Sequence, residues 1–107
     1  MTATINRATV DIDEILPMIN NAYWEASNQN HKDLIHNICW LLTMEVIELH
    51  KVSVQDGHYK YDPVNDHVRH ILPELRWLSE HLSKVICRTE SRLALGQQLQ
   101  KVIDLFN

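Results

Sequence analysis

Val64, Val68, Ile71, Leu75, Leu78, Leu82 and Val85 recur at alternating spacings of four and three residues. A period near 3.5 held for about three heptads belongs to a helix packed lengthwise against its neighbours, because helical geometry returns side chains to one face at that interval. The rest of the chain agrees. Two glycines and three prolines among 107 residues are too few to turn the corners of a β-sandwich or barrel. An all-α fold is expected, in one domain long enough to bury its own core.

Residues 1–8 carry no periodicity and are expected to form a flexible N-terminus, leaving 9–107 as a single helical domain. The first helix should start near Asp11 or Asp13, since Asp11 and Glu14 have capping-box spacing. Ile12, Ile15, Leu16, Ile19, Tyr23 and Ala26 follow at helical intervals, and Pro17 must lie in the early turns or kink the helix. A second helix is expected from about His31 to Lys51, behind the cap candidate Asn30. In "VSVQDGHYKY", Val52 and Val54 alternate on one side of Asp56-Gly57, and Tyr59 and Tyr61 on the other. That pattern predicts a short β-hairpin or tight loop between helices 2 and 3. Asp62 and Pro63 should cap and open the third helix. The heptad seam continues in phase across Pro73, which predicts one kinked helix there. Thr89 should cap a last helix bearing Leu95, Leu99, Val102, Ile103 and Phe106, weakened a little by Gly96. The expected plan is a four-helix bundle-like domain.

The formal charge of −4 and a pI near 5.9 argue against nucleic acid as a partner, because phosphate contacts need clustered Lys and Arg. Cys39 and Cys87 are too few and too far apart for a disulfide framework or a zinc motif. The opening "MTATINRATVDIDE" has no apolar core of a secretory signal. His36, Asn37, Glu45 and Glu48 interrupt the apolar segment Leu34 to Leu49, so it is not expected to span a bilayer. These features together predict a cytoplasmic protein with no membrane partner.

Two clusters bear on chemistry. On a continuous helix, His67, His70, Glu74, Trp77 and His81 would share an arc of about 80°. His67 and His70 are close enough there to share an ion, with Glu74 one turn beyond. Neither Glu-x-x-His pairs nor HExxH occur, so the plainer reading is a polar boundary face or a subunit contact. On the second helix, Glu45 falls in the middle of the apolar arc and Glu48 on its edge. Burying an unpaired charge costs several kcal/mol, so Glu45 must be protonated, paired, metal-bound or open to a groove.

"LLTMEVIELHK", residues 41–51, resembles the acidic helix of the all-α nucleoside triphosphate pyrophosphohydrolases, the MazG-like family. The resemblance implies that Glu45 and Glu48 would hold Mg²⁺ or another divalent metal against a nucleotide. Thr43 and Met44 stand where that family has a preceding acid, and the third helix offers no E-x-x-D pair. A helix followed by "VSVQDGHYKYD" also resembles the recognition helix and wing of winged-helix DNA-binding regulators, though only two helices precede it. "RWLSEH", residues 76–81, resembles the Arg and His spacing of HEPN-fold ribonucleases, with Trp77 in place of the usual polar residue.

Apolar surplus points elsewhere. Ile35, Cys39, Val46 and Ile47 broaden the stripe of the second helix, and Leu72, Trp77 and Ile86 broaden the third. A small monomer covers two such faces with difficulty. The leading expectation is a non-catalytic, cofactor-free binding or regulatory protein that pairs through its helices, as a homodimer or with another protein. Trp40, Ile47, Leu72, Trp77 and His81 are the expected interface residues, with Trp24 a further aromatic anchor.

Overall fold

The computed structural model describes residues 3–53, 55–86 and 88–106, with Asp66 by its backbone alone. Val54 of the expected hairpin and Cys87, one of the two thiols, lie outside the described residues. The described chain is helical: α1 (Ile5–Glu25), α2 (Gln29–Leu49), α3 (Leu72–Glu80), the single turn α4 (Leu82–Val85) and α5 (Thr89–Phe106). Two 3₁₀ segments, Asp56–His58 and Asp66–Ile71, fill the connection between α2 and α3.

The first helix starts earlier than its acids suggest. Thr4 is the cap, its hydroxyl accepting from the Arg7 amide at 3.2 Å. Asp11 and Asp13 therefore lie inside α1, where Asp11 is buried among Ala8, Ile12 and Ile15. Pro17 lies well inside α1, on its exposed side, and removes the amide that the Asp13 carbonyl would otherwise accept from. At the start of α2 the cap is Asn28, whose side chain accepts from the Asn30 and His31 amides.

α1 and α2 run antiparallel, with both ends of α2 fastened to α1. The Lys32 ammonium donates to the Tyr23 carbonyl at 2.8 Å, and the His50 ring lies 2.9 Å from the Asp13 carboxylate. α5 packs on another side of α1, where the buried Gln98 amide donates to the Asp11 carbonyl at 2.9 Å. α3 contacts both α2 and α5 and closes the core, which gathers Ile12, Ile19, Ile38, Leu42, Leu75 and Leu99 among others.

The third helical stretch is broken rather than kinked. Asp62 and Pro63 lie outside any helix, and Asn65 caps the 3₁₀ segment instead, accepting from the His67 amide. Pro73 stands in the first turn of α3, where a missing amide costs nothing. His81 ends α3 and separates it from α4. The seam still points inward: Val68, Ile71, Leu75, Leu78 and Val85 are buried, while Val64 is exposed.

No strand forms among the described residues. Gly57 sits in the 3₁₀ turn with the Asn6 side chain against it, and no glycine takes the positive φ that a tight two-residue hairpin turn demands. Residues 59–61 are extended, but their partner is the N-terminal segment. The Ile5 amide donates to the Tyr59 carbonyl at 2.9 Å, and the Tyr61 amide to the Ala3 carbonyl at 2.8 Å. That pairing, with an isolated bridge between Thr4 and Lys60, takes the hydrogen bonds that 52–54 were expected to supply.

Candidate functional site

Two features of α2 stand out, one on each side of the helix. On the inner side Glu45 is fully buried. Its carboxylate accepts three hydrogen bonds: from the Tyr61 hydroxyl and the Val64 amide on Oε2, the latter at 2.9 Å, and from the Asn65 amide on Oε1, also at 2.9 Å. Charge-assisted bonds of this kind are each worth about 1.5–3 kcal/mol, enough together to offset the burial cost. Tyr61 is itself buried and packs beside Phe106 near the end of α5, ring centroids 6.3 Å apart. Glu45 thus ties α2 to the 61–65 segment, and through Tyr61 to both the N-terminal segment and α5. Burial first, then the hydrogen bond and negative charge of Glu45, holds the Tyr61 hydroxyl protonated far above the usual phenol range.

Glu48 is half-buried and pairs with Lys51 at 3.0 Å. The two acids therefore meet different partners: backbone and phenol donors for Glu45, a lysine for Glu48. His67 and His70 come together, rings 5.9 Å apart and edge to face, both exposed on the 3₁₀ segment. Glu74 points elsewhere, accepting from the Asn37 side chain of α2 at 2.8 Å. Among the described residues no three His, Cys, Asp or Glu side chains gather as a metal site would require.

Trp77 and His81 belong to a third group. Their rings stack at 4.5 Å, His31 of α2 lies 5.2 Å from Trp77, and the His81 Nδ1 is 2.7 Å from the Trp77 carbonyl. Trp77 and Leu72 are half-buried against the core, and Ile86 is fully enclosed. The apolar surplus of the third helical stretch is thus largely absorbed within the monomer.

The surplus of α2 is not. Ile35 and Val46 are buried and Cys39 is half-buried, but Trp40 is 56%, Met44 39% and Ile47 47% exposed. Spaced at i, i+4 and i+7, these three form a continuous apolar ridge on the side of α2 opposite Leu42 and Glu45. Trp24, at the end of α1, is also exposed, with the Lys32 ammonium 5.7 Å from its ring.

Sequence reasoning placed Asp11 at a helix start and missed its burial. Asp11 lines a groove of about 490 Å³ between α1 and α5 with Arg7, Lys101 and Asp104. Its Oδ1 is buried without a hydrogen bond and lies 3.3 Å from the Arg7 Nε. The signal was present, because Asp11 falls between Ala8 and Ile15 on the helical stripe once the helix is taken back to Ile5. No helix among the described residues is long and apolar enough to cross a membrane. The chain matches no known family model, no curated protein and no solved structure.

Proposed function

We propose that this chain is a non-catalytic protein-association module of the cytoplasm, and that it docks partners on the outer face of α2, most simply as a homodimer. The observation that carries the reading is the ridge of Trp40, Met44 and Ile47, left outside on a helix whose other apolar side chains are packed. Water-exposed tryptophan and methionine in line on a rigid helix are favourable anchors for another helix. Glu45 supports the same reading, since its oxygens are engaged by three donors that hold the 61–65 segment. Its work is to fix the rear of α2, so that the front presents a rigid surface.

The test is site-resolved photo-cross-linking in the cells that make the protein. A photoreactive amino acid in place of Trp40 should yield a protein adduct, whereas the same group in place of exposed Leu93 on α5 should not. Equal labelling at both positions, or none at position 40, would overturn the proposal.

A further inference from the structure

On the reading that the outer face of α2 is a docking surface, we infer that its partner is a second copy of this chain, lying antiparallel across a two-fold axis level with Leu42. The outer ridge is longer than its apolar centre. Asp33, Asn37, Trp40, Met44, Ile47 and Lys51 follow one another at spacings of four, three, four, three and four, and all six are exposed. The first five lie on α2 and Lys51 in the turn just past its end; the three central members are apolar and the flanking ones polar or charged, an arrangement that can set the register of a helix pair. It runs on the side of α2 opposite the buried Ile35, Ile38, Leu42 and Leu49, and within the monomer Asn37 is held by Glu74 of α3 while Trp40, Met44 and Ile47 stay exposed.

The ends of the outer seam decide the orientation. An acid, Asp33, stands at one end and a base, Lys51, at the other. In an antiparallel pair centred at Leu42, Asp33 faces the partner's Lys51 at both ends, and Trp40 lies against the partner's Met44 in the middle. A parallel pair would set Asp33 against Asp33 and Lys51 against Lys51, repelling at both ends. A slide of one heptad puts Asp33 opposite Met44 or Trp40 opposite Lys51, so the pattern also selects the register. At present Asp33 accepts from Gln29 at 2.8 Å and Lys51 pairs with Glu48 at 3.0 Å. Both contacts are local and solvated, of the kind worth little, and they exchange readily for the partner's charges. From Asp33 to Ile47 the row spans about 21 Å at 1.5 Å per residue. A contact of that length on one helix is small, so the dimer dissociates on dilution.

Sedimentation equilibrium from about 10 µM to about 1 mM, the range in which small interfaces associate, tests this. The wild-type chain should show a reversible monomer–dimer equilibrium. Asp33→Lys and Lys51→Asp should each weaken it about tenfold, because two attractions become repulsions. An equimolar mixture of the two variants should recover wild-type affinity, since each supplies the charges the other lacks. A dimer indifferent to both single variants would overturn the inference. A chain monomeric throughout, yet cross-linked from position 40 to a different protein, would overturn it and leave the docking surface standing. A monomer with no cross-link at position 40 would remove both.

Discussion

Replacing Glu45 by glutamine keeps the shape of the side chain and changes what its two ends can do. Each carboxylate oxygen now accepts a backbone amide, Val64 on Oε2 and Asn65 on Oε1, and Oε2 also takes the Tyr61 hydroxyl. A glutamine offers one accepting oxygen and one donating NH₂. With the oxygen at the Oε2 position, the Val64 and Tyr61 bonds survive and the Asn65 amide faces a donor. With the oxygen at the other end, the Asn65 bond survives, the Tyr61 hydroxyl turns to accept from the NH₂, and the Val64 amide faces a donor. Either orientation forfeits one charge-assisted bond, about 1.5–3 kcal/mol, and leaves a donor poorly satisfied at about 1–3 kcal/mol. Relief from burying a charge returns part of this. The net expectation is a destabilisation of about 2 kcal/mol, seen as a lower urea midpoint at unchanged slope. The melting temperature should fall by about 8 °C or more for a domain of this size. A Glu45→Gln chain as stable as wild type, or more so, would refute the reasoning, because burial of the charge would then outweigh what the three donors return.

Tyr61 should make the fold alkali-sensitive. Its folded-state pKa is raised above the unfolded value of 10.0, so its contribution is intact below pH 10 and is lost as pH climbs above it, by about 1.4 kcal/mol per pH unit. Tyr61→Phe should be about 1–2 kcal/mol less stable at neutral pH and should lack that added decline in denaturation titrations above pH 10. Arg7→Ala should cost about 1–2 kcal/mol in a thermal melt, because it leaves the buried Asp11 carboxylate without its cation at 3.3 Å. Mg²⁺ or a chelator should leave the melting midpoint unmoved, since displacing three donors from Glu45 would cost more than the ion repays. Trp40→Glu and Ile47→Glu should leave stability within about 0.5 kcal/mol, as exposed positions do, while abolishing association.

Much of this architecture is legible from periodicity, and the gaps have physical causes. Val68, Ile71, Leu75, Leu78 and Val85 are buried as their spacing demands, yet the period does not distinguish one helix from three pieces. A 3₁₀ segment returns side chains every third residue and keeps nearly the same face, and a proline suits the start of a helix better than its middle. The alternation around Asp56-Gly57 predicts a hairpin, and what forms among the described residues is a lone bridge from Lys60 to Thr4. What it cannot reveal is the partner, because residues 3–5 are more than fifty positions away and local pattern carries no register for distant pairs. Glu45 is similar: the helical wheel shows that it is buried, but its donors lie 16 to 20 residues downstream in a segment without periodicity. The exposed ridge of α2 was visible only as an excess. Tertiary packing had to show that the third stretch absorbs its share through Leu72, Trp77 and Ile86, which leaves the remainder on Trp40, Met44 and Ile47.

The most direct measurement is the concentration dependence of backbone amide chemical shifts in isotope-labelled protein, followed from the dilute monomer upward. Shifts should be confined to α2 and the turn after it, strongest near Trp40 and Met44 and reaching Asp33 and Lys51, with α5 and the α1–α5 groove silent. Shifts centred on α5 or on the His67–His70 segment, or no change at any concentration, would contradict the pairing through α2.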